Sequence, residues 1–109
     1  MGWLLRDGEV LASLEVAGSR SARRRGLLGR SSFEGALLLE PARSVHSFGM
    51  RFPIDVAWLD RELAVLRTCH LDRNRLTRPV LRARSVLEAE AGAFARWGLQ
   101  VGDRLERKD

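Results

Sequence analysis

Tyrosine is missing from this sequence, lysine occurs once at Lys108, cysteine once at Cys69, and proline three times. A lone thiol excludes an intramolecular disulfide and cannot supply a multi-thiolate zinc site, which fits a reducing compartment. Aromatic residues make up 6% of the chain and are scattered, so no row of rings suited to stacking successive bases is visible. No apolar run approaches the roughly 18 residues of a membrane span, and the longest candidate, residues 35–39, is strand-sized. The opening Met1-Gly2-Trp3-Leu4-Leu5-Arg6 has neither a basic leader nor an apolar stretch of signal length. These absences lead to the expectation of a cytoplasmic protein with no membrane partner.

What is there suits one core. A length of 109 residues predicts a single domain over 1–109, and 45% hydrophobic against 30% charged residues is an ordinary globular balance. Only the tail at Lys108 and Asp109 is expected to stay outside the fold. The net charge of +5 rests almost wholly on arginine. Guanidinium groups grip phosphates and carboxylates bidentately, which admits a nucleic-acid-binding protein. The same bias arises from composition alone, with arginines on solvated faces, and without a reading motif a nucleic-acid partner is disfavoured.

Strand-like runs at 3–6 and 9–17 flank Asp7-Gly8, a dipeptide that tolerates the positive φ angles of a type I′ turn, so a β-hairpin opens the chain. Ser19 or Ser21 can cap a short helix running to Leu28 and ended by Gly29. Within it Arg23, Arg24 and Arg25 fan round the axis about 100° apart, so at least one faces the body of the protein and needs a partner. Further strands are expected over 35–40, 54–60, 63–71 and 85–91, with 45–48 extended. An arginine-rich loop covers 72–78, one helical turn covers 93–97 and stops at Gly98, and a last strand follows Gly102-Asp103. Many short strands with two helical pieces predict a mainly β (α+β) fold, a small antiparallel β-sandwich or barrel-like domain with one or two short helices.

In Ile54-Asp55-Val56-Ala57-Trp58-Leu59-Asp60 alternate side chains face opposite ways, and both faces are apolar. Asp55 is therefore expected on a partly covered face, in need of an arginine, a histidine or backbone donors. The candidates are Arg51, His46 and an inward arginine of the early helix. The order of motifs resembles the family catalogued as domain of unknown function 192. Its early arginine and glycine-leucine motif is matched by Arg23-Arg24-Arg25-Gly26-Leu27-Leu28-Gly29-Arg30, with Leu28 where methionine is common. Its central signature is matched by Val45-His46-Ser47-Phe48-Gly49-Met50-Arg51-Phe52-Pro53-Ile54-Asp55 and Leu59-Asp60, with Ser47 where threonine is frequent. Val86-Leu87-Glu88, Ala91-Gly92, Gly98-Leu99 and Gly102-Asp103 are similar to its closing pattern. The chain departs at Ala42, where many similar members carry cysteine, and in lacking the export signal of many members. The resemblance implies a mainly β domain with short helices and no established activity.

Three chemistries compete. A hydrolytic enzyme would use His46 as general base oriented by Asp55, with Ser47 or Cys69 as nucleophile; adjacent strand residues point apart, which counts against Ser47. A metal-dependent enzyme would use His46 and Asp55 with Glu88 or His70, a thin ligand set, so neither metal nor cofactor is expected. The reading favoured here is a module that binds a small-molecule or anionic ligand on a mainly β scaffold, with His46, Ser47, Met50, Arg51, Asp55, Glu88, Arg23 and Arg30 as candidate ligand-binding residues. Against it stands a buried ion-pair network among the same side chains that merely ties helix to sheet.

Overall fold

The computed structural model describes residues 2–109. Asp7 and Gly8 both take positive φ, 53° and 80°, the geometry that matches the twist of a tight hairpin. They join β1 (Gly2–Arg6) to β2 (Glu9–Ala17), which is followed by α1 (Arg20–Arg25) and β3 (Ala36–Leu39). Then come β4 (Ile54–Leu59), β5 (Val65–Leu71), β6 (Ser85–Glu90), α2 (Ala93–Trp97) and β7 (Glu106–Lys108). All seven strands form one sheet in the order β5-β4-β6-β3-β2-β1-β7.

The mainly β expectation holds, with one change of pattern. Every neighbouring pair is antiparallel except β2 and β3, which run parallel. A parallel pair needs a crossover, and residues 18–35 with α1 provide it. The sheet stays open. Its two outer ends approach through an isolated bridge between Ala64 and Arg104, flanked by Val65 N–H to Asp103 O, Gly102 N–H to Val65 O and Leu105 N–H to Leu63 O. Among the described residues no helix is long and apolar enough to cross a membrane.

Local chemistry sets the element ends. Ser19 caps α1 by accepting the Ala22 N–H, but the helix stops at Gly26 and not at Gly29. Gly26 turns the chain with φ 50° and ψ −128°, a conformation without room for a side chain's Cβ, and this drops Leu27 into the core. Residues 45–48 form no strand and contribute only a bridge between His46 and Leu76. Lys108, expected to be free, pairs with Trp3 in β7.

The central strands β3, β4 and β6 are buried on both faces, which explains their unbroken apolar runs. One face packs Leu37, Leu39, Val56, Trp58 and Val86 against Leu27, Val45, Met50 and Phe52 from the loops. The other packs Leu38, Ala57, Leu59, Leu87 and Ala89 against Ala93, Phe94 and Leu105. Asp55 belongs to this second face. Its Oδ2 accepts the N–H groups of Gly92 (3.0 Å) and Phe94 (3.1 Å), where α2 has no side-chain cap of its own. Its partners are thus backbone donors, with His70 Nδ1 3.9 Å from Oδ1, and neither Arg51, His46 nor an arginine of α1 serves.

Removing that acceptor leaves the buried Phe94 N–H and the part-buried Gly92 N–H without a partner, at a cost of about 1–3 kcal/mol. Asp55→Ala is expected to lower the urea midpoint accordingly, while Asp55→Asn, which keeps an acceptor oxygen, loses less.

Candidate functional site

The first face of the sheet is covered by loops, and the loops leave a cavity of about 350 Å³. Its wall is fixed to the sheet through backbone and side-chain bonds. The Trp58 indole N–H donates to Arg43 O at 2.8 Å, and the Ala42 N–H to Arg84 O. The Thr77 hydroxyl accepts the Val45 N–H and donates to Val45 O. Leu27, Leu28, Leu39, Val45 and Met50 are among its lining residues, together with four arginines, Arg20, Arg23, Arg24 and Arg25.

Glu88 is the one acidic side chain lining it. Register explains why it is there: Glu88 pairs with Leu37 of β3 on one side and Val56 of β4 on the other, so it sits mid-sheet on the loop-covered face. It is 3% exposed. Among the described residues it makes no hydrogen bond and no ion pair. Burial pushes its carboxyl up to about 7, so near neutral pH it is partly protonated. Gly26 leaves the space beside it open, because a Cβ at that position would lie 3.2 Å from Glu88 Oε1.

His46 lines the same cavity. Its Nδ1 accepts the Phe48 N–H at 3.2 Å and its ring stacks on Phe48 at 5.4 Å. In the neutral ring this leaves the hydrogen on Nε2, available as a donor.

The cavity therefore gathers four of the eight sequence candidates: Arg23, His46, Met50 and Glu88. The other four lie elsewhere for identifiable reasons. Asp55 faces the opposite side of the sheet and caps α2, so His46 and Asp55 form neither a catalytic pair nor a metal site. Ser47 is fully buried, its hydroxyl donating to Asp72 O and accepting the Arg75 N–H, which pins the 72–78 loop and leaves it no role as a nucleophile. Arg30 makes a two-point ion pair with Glu15 and lies over the Phe33 ring. That pairing holds the Glu15 carboxyl below its ordinary range. Arg51 is exposed.

Cys69 is half-buried, and burial pushes its thiol up, away from the reactive thiolate. Among the described residues no three of His, Cys, Asp and Glu gather at metal-binding distance. The buried ion-pair network is not formed by these side chains either, since Glu88 is unpaired and Arg23 donates to the Gly18 carbonyl. Arg24 and Arg25 were missed singly, although the triple-arginine run was the signal for them, and Arg20, three residues before that run, had no signal of its own.

A mixed sheet with a loop-roofed cavity on one face defines a small β-rich domain. The chain belongs to the domain of unknown function 192 family, described as "Uncharacterized ACR", whose model matches residues 3–107. No curated protein matches it. Among solved structures it is similar to a protein of unknown function from Novosphingobium aromaticivorans. That match has 17% identity and a TM-score of 0.79, and covers 96% of this chain and 82% of the other. It is also similar to a protein from Sinorhizobium meliloti provisionally described as a transcription regulator. There the identity is 20% and the TM-score 0.80, covering 97% of this chain and 91% of the other. At these identities the likeness establishes the fold.

Glu88 has a folded-state value raised above its ordinary 4.5. The folded protein thus binds more protons than the unfolded chain between those values, and stability falls as pH rises from 4.5 through 7. Relative to Glu88→Gln, the wild type is expected to lose about 2–3 kcal/mol between pH 5 and pH 8. Paired urea titrations of the two proteins at both pH values measure this difference.

Proposed function

We propose that this protein is a binding module for a small molecule with an apolar body and an anionic group, held in the cavity beneath residues 20–28 and 41–50. The observation that carries the reading is the cavity's composition. Its apolar interior meets four arginines, and none of Arg20, Arg23, Arg24 and Arg25 lies within 4.0 Å of a carboxylate among the described residues. Guanidinium groups left without an acid suit a carboxylate or phosphate supplied by a ligand. Apolar walls around a few polar groups are the usual make-up of a small-molecule site.

Hexanoate, titrated into nitrogen-15 labelled protein, is expected to shift the amide signals of Gly26, Leu27, Leu28, Val45 and His46. Hexanol should shift them less, and the double variant Arg24→Ser, Arg25→Ser should bind hexanoate at least tenfold more weakly. Signals that stay in place up to tens of millimolar hexanoate would sink the reading.

A second reading has its own observation. The segments 18–35, 40–53 and 72–84, which cover the cavity-bearing face, carry twelve arginines and only three acids, Glu34, Glu40 and Asp72. Such a face suits a phosphate backbone, and this would accord with the description of the Sinorhizobium meliloti protein. On this reading a single-stranded oligonucleotide binds at 50 mM salt with an affinity that drops steeply by 200 mM. No binding at the lower salt removes it.

A further inference from the structure

We infer that the cavity takes a two-ended ligand, with an amine at its deep end received by Glu88 and an anionic group among the arginines. This rests on the proposed function above and adds the chemistry of the second end.

Glu88 is the argument. A carboxyl at the middle of a seven-stranded sheet, 3% exposed and without a hydrogen bond or ion pair, is costly to keep. A glutamate with a structural task would show its partner, as Asp55 does with the two N–H groups of α2 and Glu90 does with the Phe33 N–H. Glu88 instead borders the cavity, and Gly26 keeps the adjoining space clear. The arginines lining the same cavity do not pair with it. Burial alone raises its affinity for a proton, with no opposing pull from a nearby cation.

Among the described residues the cavity therefore has two poles of opposite charge. Cations gather in the 20–25 segment, and the only acid lining the cavity lies on β6 among apolar side chains. An amine is repelled by the first pole and has one carboxyl to meet, which fixes the ligand's direction. An ammonium supplies three donors to a group whose acceptors are all free, in a charge-assisted bond. It displaces the proton that Glu88 holds near neutral pH, which passes to the buffer. A metal ion does not fit this end, because Glu88 and His46 are too few ligands to hold one.

Three probes with one six-carbon body separate the ends: 6-aminohexanoate, hexanoate and hexylamine. Calorimetry at pH 6.5 in bis-tris and imidazole, buffers of different ionisation enthalpy, reads affinity and proton release together. The expected result is 6-aminohexanoate binding at least tenfold more tightly than hexanoate, with release of about three quarters of a proton. His46 lines the same cavity, so the source of the proton must be assigned by substitution. Glu88→Gln should reduce 6-aminohexanoate to the affinity of hexanoate and abolish the release.

Equal binding of 6-aminohexanoate and hexanoate without proton release would overturn the amine assignment and leave the anion site standing. Failure of all three probes to bind would remove both readings. Should Glu88→Gln not fold, proton release by the wild type, present with 6-aminohexanoate and absent with hexanoate, decides between them.

Discussion

Burial of the central strands on both faces is the constraint from which the rest of this structure follows. β3, β4 and β6 have no wet side, so a charged side chain on them must find a partner or border a cavity. Asp55 and Glu88 are the two acids placed under this demand, one on each face. Asp55 meets it by holding the first turn of α2, a five-residue helix too short to be stable without tertiary contacts. Glu88 does not meet it within the protein. Two carboxylates on neighbouring strands thus have opposite fates, decided by which way the pleat turns them.

The pleat also explains what could and could not be read from the chain. The hairpin at Asp7-Gly8, the Ser19 cap and the turn of helix at 93–97 rest on chemistry within a few residues, and they stand where the sequence places them. The alternation within β4 put Asp55 on the face of Ala57 and Leu59, and it lies there. Whether Glu88 shares that face depends on the register of β6 against β4, a contact between residues more than thirty apart in sequence. Periodicity within either strand carries no information about it. His46 was harder still, because it lies in a loop where alternation has no meaning and backbone bonds to residues 75–77 set its position. The parallel β2–β3 pair was likewise hidden, since it is defined by where the crossover returns and not by the composition of either strand.

The roof of the cavity is made almost wholly of irregular chain. Residues 41–53 and 72–84 are tied to the sheet and to one another by side-chain bonds of Ser47, Trp58 and Thr77 and by the isolated His46–Leu76 bridge. This is the arrangement in which a rigid scaffold carries loops free to vary. The fold is shared with a solved structure at 20% identity.

At the other end of the sheet, β7 is three residues long, Glu106, Arg107 and Lys108, all exposed. A sheet margin with unpaired backbone groups invites a strand from another molecule, and charge on a very short margin opposes it. Arg107 is further engaged by Glu40 at 2.9 Å, which ties this margin to the residue that leads into the cavity wall. The same three side chains that finish the sheet thus place charge of both signs along a margin where an apolar strand of equal length would offer a template for pairing.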